Sequence, residues 1–166
     1  RDYDGAIASE RVALALSPQY SGAHGIISAC LLAKGDAPGA VAEALAEPSE
    51  TWRSIVLAAA YYGAGRNAES DAALSAVVAK LEMDASYNIA YNYALRGQAD
   101  KAFEWLDKAV QYQDGGLSEI VYEPLFDKIR SDPRWLPFLR KIGRAPEQLA
   151  KVEFTVNRYT AANLGL

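Results

Sequence analysis

The chain has 166 residues and a mass of 18.0 kDa, with 51% hydrophobic and 23% charged residues. This composition fits a folded domain with one core and excludes a disordered chain. The formal net charge of -4 disfavours nucleic acid as a partner, because phosphate binding needs concentrated positive charge. A lone cysteine, Cys30, excludes an internal disulfide. The longest apolar run, residues 55–65, is too short to cross a bilayer, so no membrane contact is expected.

The chain opens on a helical pattern, RDYDGAIASERVALALSP, over residues 1–18. No initiator Met or signal-peptide pattern precedes it, so we expect a fragment of a longer protein, located in the cytoplasm. The pattern fits the second helix of a helix pair whose first helix lies further upstream.

Three later segments share one pattern, in residues 29–45, 59–74 and 91–106. In each, an apolar helix ends at a glycine, a small residue follows five positions later, and an apolar residue lies four further on. The glycines are Gly35, Gly65 and Gly97, and the small residues are Ala40, Ser70 and Ala102. The two intervals between the glycines, 30 and 32 residues, are close to a repeat of about 34 residues built from two helices.

The pattern has a physical reason. Glycine accepts a positive φ, which ends one helix and turns the chain into the next. The small residue lets the two helices approach closely where they cross. Asp36 and Asn67 are placed to cap the second helices, and Pro48 is expected to end the one that follows Gly35 early.

This pattern resembles the tetratricopeptide repeat. The third copy carries it most fully, with Ile89, Ala90, Tyr93, Gly97, Ala102, Leu106 and Ala109. The second copy has Leu57, Ala58, Tyr61, Gly65, Ser70, Leu74 and Val77, and the first has Ile27, Ser28, Leu31, Gly35, Ala40 and Ala44. The resemblance implies an all-α fold, a right-handed α-solenoid of helix hairpins with a C-terminal helical cap.

The expected organisation is a repeat domain over residues 1–143 and a C-terminal helix and tail over 144–166. Within the domain we place a half repeat at 1–18, repeats at 19–48, 49–82 and 83–113, and a cap at 114–143. In the cap, Asp132 and Pro133 are expected to start a helix whose inner face carries Trp135, Leu136, Leu139 and Ile142. In the tail, residues 152–156 alternate in polarity and could be extended. The cap also resembles the end of repeat regions in bacterial multidomain regulators, such as class III adenylate cyclases, winged-helix transcription factors and Ser/Thr kinases.

Residues for catalysis are sparse. The one histidine, His24, and Cys30 fall on different faces of one helix and cannot share a metal, so we expect neither a metal nor another cofactor. His24 and Ser28 are four residues apart, which permits a hydrogen bond and leaves a hydrolase-like site as a remote alternative. The carboxylates on the second helices are expected on solvated faces: Glu43, Glu47, Asp100, Glu104 and Asp107. We therefore expect no enzyme in this segment, although a parent chain can carry a catalytic domain.

The resemblance implies a binding groove on one face of each first helix. Its expected residues are Gly25, Ala29, Leu32, Trp52, Ile55, Ala59, Tyr62, Asp84, Tyr87, Asn88 and Tyr91. The basic cluster that chaperone-type repeats use to clamp a C-terminal carboxylate does not occur at these positions. An apolar and aromatic groove fits a peptide or another protein segment.

Two functions therefore stay open. One is a scaffold that binds a peptide or partner protein in the groove. The other is a regulatory C-terminal region of a larger bacterial signalling protein, packing on another domain of its own chain. A second copy of the chain, giving a homodimer, is a further candidate occupant.

Overall fold

The computed structural model of the chain describes residues 2–151, and the regular elements in this range are all helical. The α-helices are α1 (Tyr3–Leu16), α2 (Ala23–Ala33), α3 (Ala37–Ala46), α4 (Glu50–Gly63), α5 (Asn67–Leu81), α6 (Ser86–Leu95), α7 (Ala99–Gln111) and α8 (Trp135–Lys141). Two 3₁₀ turns, Gly115–Glu119 and Pro124–Ile129, lie between α7 and α8, and residues 146–151 are helical. The possible extended stretch at 152–156 lies outside the described residues. The described residues fall in two compact units, divided between Lys128 and Ile129.

In the first unit, sequential helices pair. Helix α2 packs on α3, α4 on α5 and α6 on α7. The connections carry the predicted glycines in the left-handed region, with φ of 84° at Gly35 and 72° at both Gly65 and Gly97. Contacts also join α2 to α4 and α4 to α6, so the first helix of each pair lies against the first helix of the next.

The crossing point of each pair is tight. The small residues Ala40, Ser70 and Ala102 are fully buried, as the close approach of two helices requires. The hydroxyl of Ser28 donates to the carbonyl of Ala40 (2.9 Å), and the hydroxyl of Ser70 donates to the carbonyl of Ala58 (2.6 Å). These buried hydroxyls are thus paired across the crossing, which removes the cost of burying them.

The predicted helix starts are partly correct. Asp36 caps α3 by accepting from the backbone N of Gly39 (2.9 Å), and α3 ends at Ala46, ahead of Pro48. Asn67, however, is the first residue of α5, and the capping position belongs to Arg66, whose side chain makes no capping hydrogen bond.

In the second unit, α8 begins two residues later than predicted. Asp132 accepts from the backbone N of Arg134 (2.9 Å), which closes an Asx turn before the helix instead of capping it. The predicted inner face is also wrong at one position, since Leu136 is exposed and Phe138 is buried. Phe138 lies three residues after Trp135, on the same helical stripe, whereas Leu136 lies about 100° away.

Two of the carboxylates expected on solvated faces are not solvated. The side chain of Glu47 is fully buried, and it accepts hydrogen bonds from the backbone N of Gly22 (3.0 Å) and of Ser49 (3.1 Å). Glu43 is largely covered and pairs with Arg11 and with Nδ1 of His24 (2.7 Å). Asp100, Glu104 and Asp107 on α7 are exposed.

Candidate functional site

The first unit contains a cavity of about 490 Å³, within the size range of ligand sites in proteins. Helices α2, α4 and α6 supply most of its wall, and the turns before α2 and α6 and residues 114–125 supply the rest. Nine of the eleven residues expected in the groove line it: Gly25, Ala29, Leu32, Trp52, Ala59, Asp84, Tyr87, Asn88 and Tyr91. The structure therefore brings these positions, from three separate helices and the turn before α6, together around one space.

The other two expected residues lie elsewhere. Ile55 belongs to the buried core of α4. The ring of Tyr62 is covered by two cations, with the guanidinium of Arg96 at 5.0 Å and the ammonium of Lys128 at 5.5 Å from its centroid. Neither side chain lines the cavity.

An aromatic cluster supports one wall of the cavity. The ring centroid of Tyr87 lies 5.8 Å from that of Tyr91, in an edge-to-face arrangement, and 5.4 Å from that of Phe126. All three rings are buried, although Tyr87 and Tyr91 also line the cavity. These two tyrosines therefore serve the core as well as the cavity surface, and their removal would affect both.

Asp114 fixes the position of this cluster. One carboxylate oxygen accepts from the backbone N of Tyr87 and the other from the backbone N of Gly116, both at 2.9 Å. Gly116 itself touches the aromatic ring, since a Cβ on this residue would overlap the Cγ and Cδ1 of Tyr87. Residues 114–116 are thus packed directly against the start of α6.

Two further aromatic groups of the lining are more exposed, Trp52 on α4 and Tyr20 in the turn before α2. Trp52 is 40% exposed, so a bound molecule could cover it without disturbing the core. The buried Glu47 holds the turn of Tyr20 in place through the backbone N of Gly22. Ser49 caps α4 with a hydrogen bond from the backbone N of Trp52 (3.3 Å), which fixes the first turn of that helix.

The two cavity tyrosines are neutral hydrogen-bonding groups. Burial raises the pKa of Tyr87 and Tyr91 well above the ordinary value, and the negative charge of Glu123 raises both further. The hydroxyl of Tyr87 is buried and has no hydrogen-bond partner among residues 2–151. A buried hydroxyl without a partner is uncommon in folded proteins, because burial without a hydrogen bond is costly.

The repeat pattern did not indicate the contribution of residues 114–125. This segment follows the last helix pair, so it has no position in the repeat register and falls in the predicted cap. It supplies Asp114, Gly116, Glu119, Glu123 and Leu125 to the cavity wall. The adjacent glycines at 115 and 116 indicate a turn, but they do not indicate which residues it contacts.

The remote hydrolase-like pair does not come together as a hydrogen-bonded pair. His24 bonds to Glu43, and the hydroxyl of Ser28 donates to the carbonyl of Ala40 and is buried. Between residues 2 and 151, no group of three or more His, Cys, Asp or Glu side chains is arranged to hold a metal ion. Over the same range, no helix combines the length and apolar character needed to cross a membrane.

Comparison of the chain with protein-family models, with curated proteins and with solved structures finds no match. The resemblance to the tetratricopeptide repeat therefore rests on the sequence pattern of the residues named above.

Proposed function

We propose that the first unit is a peptide-binding scaffold of the tetratricopeptide type, acting in the cytoplasm and without chemistry of its own. Its helix hairpins form a right-handed α-solenoid, and the cavity between their first helices receives an extended or helical segment of a partner protein. A rigid helical wall lowers the conformational entropy lost on binding, because the site is formed before the partner arrives.

The order of helix contacts supports the solenoid. Three hairpins follow one another, with a left-handed glycine in each connection, and their first helices α2, α4 and α6 lie side by side. A stack of this kind buries small residues at each crossing, as Ala40, Ser70 and Ala102 are buried here.

The observation that carries the binding function is the convergence of nine predicted groove residues on one cavity. The cavity has an apolar floor, made by Ala29, Leu32 and Ala59, and aromatic groups along its walls. Aromatic side chains with a polar group are common anchors for peptides, since they bury a large apolar area and can also form a hydrogen bond.

Trp52 provides the test, because it lines the cavity and is 40% exposed. We would select peptides from a random twelve-residue display library against the whole chain and measure their affinity by fluorescence anisotropy. Trp52→Ala is expected to weaken binding by about tenfold or more, as for an aromatic anchor at an interface. Leu45→Ala is the matched control, because Leu45 is 54% exposed on α3 and does not line the cavity. Selected peptides that bind both variants as tightly as the parent chain would refute the cavity as the binding site.

A regulatory region of a larger bacterial signalling protein, such as an adenylate cyclase, kinase or winged-helix regulator, is the second candidate. The exposed apolar side chains of Val12 and Leu16 on α1 favour it, because another domain of the parent chain would cover such a surface. The reading frame upstream of residue 1 distinguishes the two candidates. A catalytic or DNA-binding domain there would favour regulation, and further helical repeats alone would favour the scaffold.

A further inference from the structure

The charged groups that line the cavity are all acidic. Asp84, Asp114, Glu119 and Glu123 contribute to its wall, and no Lys, Arg or His from residues 2–151 lines it. Asp84 and Glu119 are exposed, and Asp114 and Glu123 are partly buried. Four carboxylates around an apolar space produce a negative potential there, because low-dielectric walls concentrate the field.

The phenol of Tyr87 lies within this negative field and carries no charge. Tyr87 is 4% exposed and lines the cavity. Burial, and then the charges of Glu123, Glu119 and Asp114, raise the pKa of its hydroxyl, so the side chain stays protonated. Within residues 2–151, the carboxylates therefore set the charge of the cavity wall.

The aromatic groups add to the same preference. Trp52, Tyr20 and Tyr91 line the cavity together with Tyr87. The faces of such rings attract an ammonium or guanidinium group, most strongly where water is excluded. A neutral or acidic ligand would gain nothing from this cation–ring contact. The carboxylates would repel an acidic ligand and would not attract a neutral one.

We propose that the cavity selects a peptide segment that carries a Lys or Arg side chain beside apolar residues. The inference rests on the proposed peptide-binding function and specifies the ligand class for that same site. The apolar residues occupy the floor formed by α2 and α4. The cation lies beside the carboxylates of residues 114–123. Charge complementarity, and not apolar burial alone, sets the preference among partners.

The test uses three pools of ten-residue fluorescein-labelled peptides. Eight positions are random apolar residues in every pool, and the remaining two are Lys, Gln or Glu. Fluorescence anisotropy with the whole chain is expected to rank affinity as Lys above Gln above Glu, with about a tenfold step between the first two pools.

The chain has a net charge of -4, so it attracts cationic peptides in general. Variants distinguish this general attraction from binding at the cavity. Glu119→Gln combined with Glu123→Gln keeps the hydrogen-bond acceptors that serve Ser118 and Leu125. We expect this double variant to reduce the Lys-over-Gln preference to about threefold or less. Glu104→Gln, an exposed change on α7 outside the cavity, is expected to keep the full preference.

Each outcome decides the question. Equal affinity of the Lys and Gln pools, with both weakened by Trp52→Ala, would overturn the charge preference and leave the scaffold function standing. The charge preference would also be overturned if the double variant kept the full Lys-over-Gln ratio. A reduction of this ratio in Glu104→Gln as large as in the double variant would overturn it as well. Failure of every pool to bind would overturn both proposals.

Discussion

Asp114 caps the N-terminus of the helix that contains Tyr87, although it lies 27 residues further along the chain. Helix α6 begins after Ala85, whose methyl side chain cannot cap the helix. The carboxylate of Asp114 accepts a hydrogen bond from the backbone N of Tyr87 instead. The same carboxylate accepts from Gly116, so one side chain joins the start of α6 to the segment that closes the cavity. Stability and site geometry are therefore coupled at this residue.

Replacing Asp114 with Ala is expected to lower the free energy of unfolding by about 1–2 kcal/mol, because a helix cap and a second backbone hydrogen bond are lost together. Urea unfolding followed by circular dichroism measures the change. Asp84→Ala provides the control, since Asp84 precedes the same helix and is exposed. An equal loss in both variants would show that general charge at the helix start, and not the hydrogen bonds of Asp114, stabilises α6.

The two adjacent glycines at 115 and 116 provide a matched pair. A Cβ on Gly116 would overlap the base of the Tyr87 ring, whereas a Cβ on Gly115 would meet nothing within 4 Å. We expect Gly116→Ala to destabilise the chain by about 1–3 kcal/mol through overpacking. Gly115→Ala should stay within about 0.5 kcal/mol of the parent.

The near-ultraviolet circular dichroism of the buried tyrosines reports the movement of the ring directly. Gly116→Ala should change this signal and Gly115→Ala should not. Similar spectra and stabilities for both variants would contradict the packing of residue 116 on Tyr87.

The buried carboxylate of Glu47 stabilises the turn that carries Tyr20. Glu47→Ala leaves the backbone N of Gly22 and of Ser49 without this acceptor. The expected loss is about 2–3 kcal/mol, measured by urea unfolding. Glu104→Ala, on the exposed surface of α7, should cost less than about 0.5 kcal/mol. A loss at Glu47 no larger than at Glu104 would mean that the turn does not depend on the buried acceptor.

In the second unit, the side chain of Arg134 and then its backbone N lower the pKa of Asp132 to about 2. A carboxyl with a depressed pKa in the folded state stabilises that state above its unfolded pKa, which is about 3.9. This contribution is lost as the pH falls from about 4 toward 2. A ¹³C-detected titration of the Asp132 carboxyl should give a midpoint near 2.

Arg134→Met should raise that midpoint part of the way toward 3.9, because the backbone hydrogen bond remains. An unchanged midpoint in Arg134→Met would show that the guanidinium is not the main cause of the lowered pKa of Asp132.

Much of the first unit could be predicted because its determinants are local. The positive φ of Gly35, Gly65 and Gly97 and the burial of Ala40, Ser70 and Ala102 follow from spacing within a single helix pair. In the first two pairs, the hydroxyl that bridges the helix crossing lies on different helices: Ser28 is on the first helix of its pair, and Ser70 is on the second helix of its pair. Ser28 and Ala40 occupy the positions of Ala58 and Ser70 thirty residues later, and the hydroxyl donates across the crossing in both.

The remaining features depend on contacts between distant parts of the chain. The buried Glu47 accepts a hydrogen bond from Gly22, 25 residues earlier, and Asp114 caps α6 from a later segment. A helical repeat pattern predicts which face of a helix a residue lies on. It does not predict where the loops between helices lie, so it indicates neither of these two hydrogen bonds. For the same reason, the repeat pattern predicts the groove positions on α2, α4 and α6 that line the cavity, whereas it does not predict the acidic wall at 114–125.

The central proposal is that partner peptides bind in the cavity between α2, α4 and α6. An amide chemical-shift titration of the ¹⁵N-labelled chain with a peptide selected from the display library tests it most directly. We predict saturable shifts at Ala29, Trp52, Asn88 and Gly116, with α7 residues Asp100 and Lys101 unchanged. Saturable shifts confined to α7, or none at the cavity residues, would contradict the claim.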